Sequence, residues 1–158
     1  MNTRIRSIRD IKCLIANASR STLKWRQIYL NNITTPLDTP QIYCRDVVEV
    51  VKSLFGNPIF DGQMHFRAER IFDESGKRLF NEIWTSDWWW EIQSKLPNGS
   101  TVIPIMLNSD ATHLDKLGHQ KVHPIYITIG NITKKIRRKS SQHAIKLLGY
   151  LLILLPSS

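Results

Sequence analysis

The sequence predicts an α+β fold, with helices and a hairpin in the first two thirds of the chain and antiparallel strands in the last third. Three observations point there. Apolar residues recur at helical spacing in three segments between Arg4 and Leu54. A hairpin-like stretch, "ERIFDESGKRLFNEIW", and a capped segment, "TSDWWWEIQSKLP", follow. From Val102 onward, three apolar or alternating runs are joined by short connections. A chain of 158 residues, 42% hydrophobic and 22% charged, has the size and composition of one globular domain.

The elements follow in order. Ile5, Ile8, Ile11 and Ile15 alternate with Arg4, Arg6, Arg9 and Lys12, which predicts an amphipathic basic helix from Arg4 to Ala18. A second helix is expected from Thr22 to Leu30, capped by Ser21 and carrying Leu23, Trp25, Ile28 and Tyr29. "TTPLDTPQ" breaks the pattern, because Pro36 and Pro40 push their predecessors out of the helical region. Tyr43, Val47, Val50, Val51 and Leu54 then share a face of a helix that starts near Asp46 and stops at "FGNP", where Gly56 suits a left-handed C-terminus. "DESGK" reads as the turn of the hairpin, with Ile71, Phe72, Leu79 and Phe80 as strand residues. Ser86 or Asp87 caps the next helix, which turns Trp89, Ile92 and Leu96 inward before the "PNGS" turn. Val102 to Leu107, Pro124 to Ile129 and Ala144 to Leu152 make a three-stranded antiparallel meander, although the last run would also suit a helix. The chain thus divides into a basic helical segment (1–38), a Trp-rich helix–hairpin–helix region (39–100) and a strand region (101–158).

Charge is unevenly spread. The chain has 22 basic and 13 acidic residues, a net +9, which favours a polyanionic partner. Residues 1–35 carry seven basic side chains and one acid, residues 36–100 seven and ten, and residues 101–158 eight and two. On charge alone the expected contact surfaces are the N-terminal segment and the region around Lys134 to Lys139. Cys13 and Cys44 have neither metal-ligand nor disulfide-framework spacing, so reduced intracellular thiols are expected. Sequons stand at Asn32, Asn98 and Asn131, but the N-terminus lacks an uninterrupted apolar signal region, so they read as chance. The longest apolar run, Leu147 to Leu155, is far short of the ~20 residues of a spanning helix, and no membrane association is expected.

Two places invite chemistry. The run "TVIPIMLNSD" carries an aspartate out to a strand end, which is how nucleases of the RNase H-like fold present the first of their metal-binding carboxylates. Asp110 would serve so, although spacing alone favours a plain turn aspartate. His113, Asp115, His119 and His123 follow without metal-ligand spacing and read as a polar loop. Lys134, Lys135, Arg137, Arg138 and Lys139 put five cations into six positions, which suits phosphate contact; an import signal or a solvated turn would look the same. Trp88, Trp89 and Trp90 point in different directions on a helix, so core packing accounts for them better than base stacking, with room for one exposed indole as a contact.

The blocks "YCRDVVEVVKSLFGNPIF", "FNEIWTSDWWWEIQSKLPNGSTVIPIMLNSDATHL" and "HPIYITIGNITKKIRRKSSQHAIKLLGYL" resemble the Plavaka transposases of mushroom-forming fungi, relatives of the CACTA group of cut-and-paste transposons. The resemblance spans Tyr43 to Tyr150. It implies a DDE-type enzyme with an RNase H-like core that cuts DNA at terminal inverted repeats and joins the ends to a target using Mg2+ or Mn2+. On that footing Asp110 is the first catalytic, metal-binding acid, and the Lys134 to Lys139 run lies between the second and third core strands, beside DNA. DNA, further copies of the chain or a full-length transposase are the implied partners, the nucleus is the implied site of action, and no small-molecule cofactor is expected.

Family members are several times longer, and the remaining acids of the core would lie beyond the third strand. "GYLLILLPSS" also departs from the family's Gly-Tyr-Leu-Pro, as a frameshift or a mis-called exon end would. The expectation is therefore a transposase fragment, inactive alone, with an incomplete core that leaves an apolar face and a strand edge exposed. The alternatives are a non-catalytic, transposon-derived nucleic-acid-binding protein and a decayed remnant without function.

Overall fold

The computed structural model describes residues 23–29, 41–110, 112–113 and 120–154. The expected helix from Arg4 to Ala18, Cys13 and the segment 34–40 lie outside them. In chain order the described elements are β1 (Trp25–Tyr29), β2 (Gln41–Arg45), α1 (Val47–Phe55), β3 (Ile71–Phe72), β4 (Arg78–Leu79), α2 (Asp87–Ser94), β5 (Ile105–Ser109), β6 (Thr112–His113), β7 (Gln120–Ile129), α3 (Lys134–Arg137) and β8 (Lys146–Leu154). The fold is α+β, as the sequence predicts. Contacts divide it into two compact units, one made of Met1–Lys52, Leu107–Ile127 and Lys146–Ser158, the other of Ser53–Met106 and Thr128–Ile145. Each unit gathers separated stretches of chain rather than one sequential segment.

The first unit is organised by a sheet of order β1-β2-β8-β7-β5, with β6 paired to β7. β1 runs antiparallel to β2, β2 to β8, and β7 to β8. The strand meander of the last third is therefore present, and its final run, which also suited a helix, is a strand. The expected helix from Thr22 to Leu30 is not: Trp25 to Tyr29 form a strand, in register with Arg45 to Gln41. Trp, Ile and Tyr suit a pleated surface as well as a helix, and pairing to β2 decides between them. The proposed helical face is not even buried, since Ile28 and Tyr29 are 45% and 54% exposed. Trp25 instead stacks on Tyr150, ring centroids 6.1 Å apart, and the Arg45 guanidinium lies 4.7 Å from the Trp25 ring.

Gly149 lets β2 and β8 approach. A Cβ there would stand 2.7 Å from the Tyr43 carbonyl oxygen and 2.9 Å from the Cys44 Cβ, so any side chain would force the strands apart. Tyr43, expected on a helix face, lies in β2 and is buried. Asp46 caps α1 by accepting from the Val48 and Glu49 amides at 3.0 and 3.2 Å. Val50 and Leu54 are fully buried. Gly56 is not in the left-handed region expected of it. The helix stops because Pro58 follows, and the Asn57 side chain accepts from the Ile59 amide and starts a new turn.

The second unit is held largely by side chains. Ser86 caps α2 through the Trp89 amide, and Trp89 sits in a core cluster with Trp84 and Val102, against which Ile92 and Leu96 pack. Val102, expected to begin a strand, belongs to this core, and β5 starts only at Ile105. The β3/β4 hairpin forms around its expected turn, where the Asp73 carboxylate accepts from Ser75 and Lys77 and Gly76 takes φ +79°. Ser100 closes the "PNGS" turn on the Pro97 carbonyl, with Gly99 at φ +87°. Asn131 is fully buried and donates to the carbonyls of His65 and Val102, both at 2.9 Å. That sequon therefore has no room for a glycan in the folded unit.

Candidate functional site

Asp110 follows directly on β5, and both it and all five residues of β5 are exposed. β5 ends the strand order of the sheet, and Ile105 and Leu107 are 50% and 61% exposed. One residue further on, β6 pairs with β7 through Thr112 opposite Val122 and His113 opposite Lys121. The aspartate thus stands at a strand end, as the sequence suggests, but the strand that carries it is exposed rather than buried. Asp115 and His119 lie outside the described residues. Among the described residues no three His, Cys, Asp or Glu side chains stand close enough together to hold a metal ion. Mg2+ requires near-octahedral oxygen ligation, which one exposed carboxylate does not supply. The described donors alone therefore do not fit the divalent metal that the sequence resemblance implies.

The basic run forms α3 and the residue or two after it, in the second unit, whereas Asp110 belongs to the first. Its five cations do not behave alike. Arg137 is turned inward: Nη2 donates to Glu82 Oε2 at 3.0 Å, Nε to the Ile132 carbonyl at 2.8 Å, and Nη1 to Met106 Sδ at 3.2 Å. The side chains of Arg137 and Glu82 are each only 14% exposed. The other Glu82 oxygen accepts the Lys134 amide at 2.6 Å, so one carboxylate fixes both ends of the turn. The Gly130 amide donates to the Pro104 carbonyl at 2.8 Å and Thr133 donates to Gln63, which secures the approach to the turn. Lys134, Lys135, Arg138 and Lys139 are left exposed. None of these four makes an ion pair among the described residues.

The tryptophans divide as helix geometry requires: Trp89 is buried, while Trp88 and Trp90 are 47% and 39% exposed. Cys44 is half-buried and unpaired by a disulfide, and burial pushes its thiol above its ordinary value, which disfavours the thiolate. The Glu82–Arg137 clamp was not legible in the sequence as a pair, because its partners lie far apart in the chain. The opposite charges of "NEIW" and "KKIRRK" were its only trace.

A strand-end acid and a rigid cationic turn are furniture of proteins that act on nucleic acid. The protein-family model described as Plavaka transposase matches residues 6–155, and the chain belongs to the Plavaka transposase family. The match reaches upstream of Tyr43, where the resemblance in the quoted blocks begins, and so takes in β1 and β2 as well. No curated protein and no solved structure matches the chain. Among the described residues no helix is long and apolar enough to cross a membrane.

Proposed function

We propose that this transposase-family chain works on DNA in the nucleus, and that Lys134, Lys135, Arg138 and Lys139 hold the phosphate backbone. The observation that carries the reading is the clamp beneath them. Glu82, Arg137 and the buried Asn131 fix the backbone of the turn, so binding need order only the side chains of its exposed cations. Arg137 acts as the positioning residue of that surface rather than as a contact.

On the same reading the β5, β7 and β8 strands correspond to the opening strands of an RNase H-like DDE core, with Asp110 as its first acid. Exposure of Asp110 at the end of β5 supports this. Cleavage and strand transfer would need further carboxylates beside Asp110 and, for paired element ends, more than one copy of the protein.

Duplex DNA binding by the full chain, measured over a salt series, tests the proposal. Each neutralised phosphate contact contributes about −0.9 to the slope of log affinity against log salt. Replacing the four exposed cations by alanine should flatten that slope by about 3.6. An unchanged slope would remove these residues from the interface.

A further inference from the structure

A second binding surface lies in the unit built from Ser53–Met106 and Thr128–Ile145. A groove of about 730 Å³ runs between the segment around Phe66, the exposed side of α2 and the Pro97–Thr101 turn. That is within the range of about 300–1,000 Å³ typical of ligand clefts. Phe66 and Trp90 line it and are 48% and 39% exposed. Arg67 lines it too, and the Arg70 guanidinium lies 5.0 Å from the Trp90 ring. No acid is among the lining residues. The nearest acids in sequence are engaged elsewhere, Glu69 with His65 and Glu91 with Lys95.

The groove is also preformed. Gln93 donates to the Ser100 carbonyl at 2.7 Å and accepts the Val102 amide at 3.3 Å, while the Thr101 hydroxyl donates to the Phe66 carbonyl at 2.7 Å. Phe55 meets Phe66 edge to face, with centroids 5.7 Å apart, and restrains its ring. Two half-exposed aromatic rings and the Arg67 guanidinium in the groove, a second guanidinium against the Trp90 ring and no lining carboxylate form a combination with a specific complement: a flat π-face joined to a negative charge.

We infer that this groove takes an unpaired nucleotide of a DNA strand, its base stacked on Trp90 or Phe66 and its phosphate held by Arg67 and Arg70. The inference rests on the reading of the chain as DNA-acting and adds a second, single-strand-selective site to it. Stacking of this kind is independent of base identity, because every base has a π-face. A duplex, whose bases are already stacked on one another, would not satisfy the groove.

The test compares the full chain's affinity for three fluorescent oligonucleotides of equal length: single-stranded thymidine, an abasic strand of the same charge, and a duplex. The thymidine strand should bind about tenfold tighter than the abasic one. Trp90→Ala should abolish that preference and Trp90→Phe should keep most of it, while Arg67→Ala should weaken both single strands. Duplex affinity should be unchanged in the Trp90 variants. Equal binding of thymidine and abasic strands by the wild-type chain would overturn the inference, as would a preference that survives Trp90→Ala. Retention of the preference by the variant lacking the four α3-region cations separates this site from the duplex interface, whatever that variant does to duplex binding.

Discussion

The two compact units are held together by different means. In the unit around Asn131 the chain is tied by side chains that reach across long sequence intervals: Asn131 to His65 and Val102, Thr128 to Ala144, Thr101 to Phe66, Arg137 to Glu82. In the unit around β2 and β8 the backbone ladder does most of this, helped by Arg45, which donates to the Leu147 carbonyl at 3.3 Å, and by an exposed Arg26–Asp46 pair. The first arrangement depends on the identity of particular polar residues. The second depends chiefly on nothing intervening between two strands.

That contrast has measurable consequences. Asn131→Ala should give the largest loss, roughly 2–4 kcal/mol in chemical denaturation, because it leaves one buried and one part-buried carbonyl without their donor. A smaller loss would mean that water replaces the amide. Gly149→Ala probes the other unit and should cost about 1–3 kcal/mol, as the added methyl meets the Tyr43 carbonyl and the Cys44 side chain. A neutral result would show that β2 shifts freely on β8.

The smallest effect is expected at an exposed turn. Hydrogen bonds from the Ser75 hydroxyl and then from the Lys77 amide hold the Asp73 carboxyl below its ordinary value of 3.8. A carboxyl whose folded-state pKa is depressed stabilises the fold above its unfolded pKa, and that contribution is lost as pH falls through the folded value. Asp73→Ala should therefore narrow the difference in stability between about pH 5 and about pH 2, and the two proteins should converge at the acid end. Parallel curves for the two would place the hairpin's acid sensitivity elsewhere.

Local signals were legible in the sequence and distant ties were not. The helix start near Asp46, a cap at Ser86 or Asp87, the "DESGK" turn and the inward Trp89 depend on residues within a few positions of one another, and all appear, with Ser86 as the cap. Trp25 to Tyr29 became a strand because its partner, Gln41 to Arg45, lies across a linker that periodicity does not bridge. For the candidate sites, the strand-end position of Asp110 could be read from the chain but its exposure could not, and the distinction among the five cations required Glu82, some fifty residues earlier. The groove beside Trp90 was half visible. Three consecutive tryptophans cannot all face one core, but only the fold brings Phe66 and Arg67 to the same cleft as Trp90.

The inward turn of Arg137 also bears on how copies of this sequence can diverge. Its guanidinium serves three acceptors in three directions, which a lysine ammonium at the end of a flexible stem cannot reproduce. Its four exposed neighbours present only charge, so lysine and arginine are interchangeable there at little cost. As element copies drift apart, arginine at 137 should persist while positions 134, 135, 138 and 139 exchange one cation for the other.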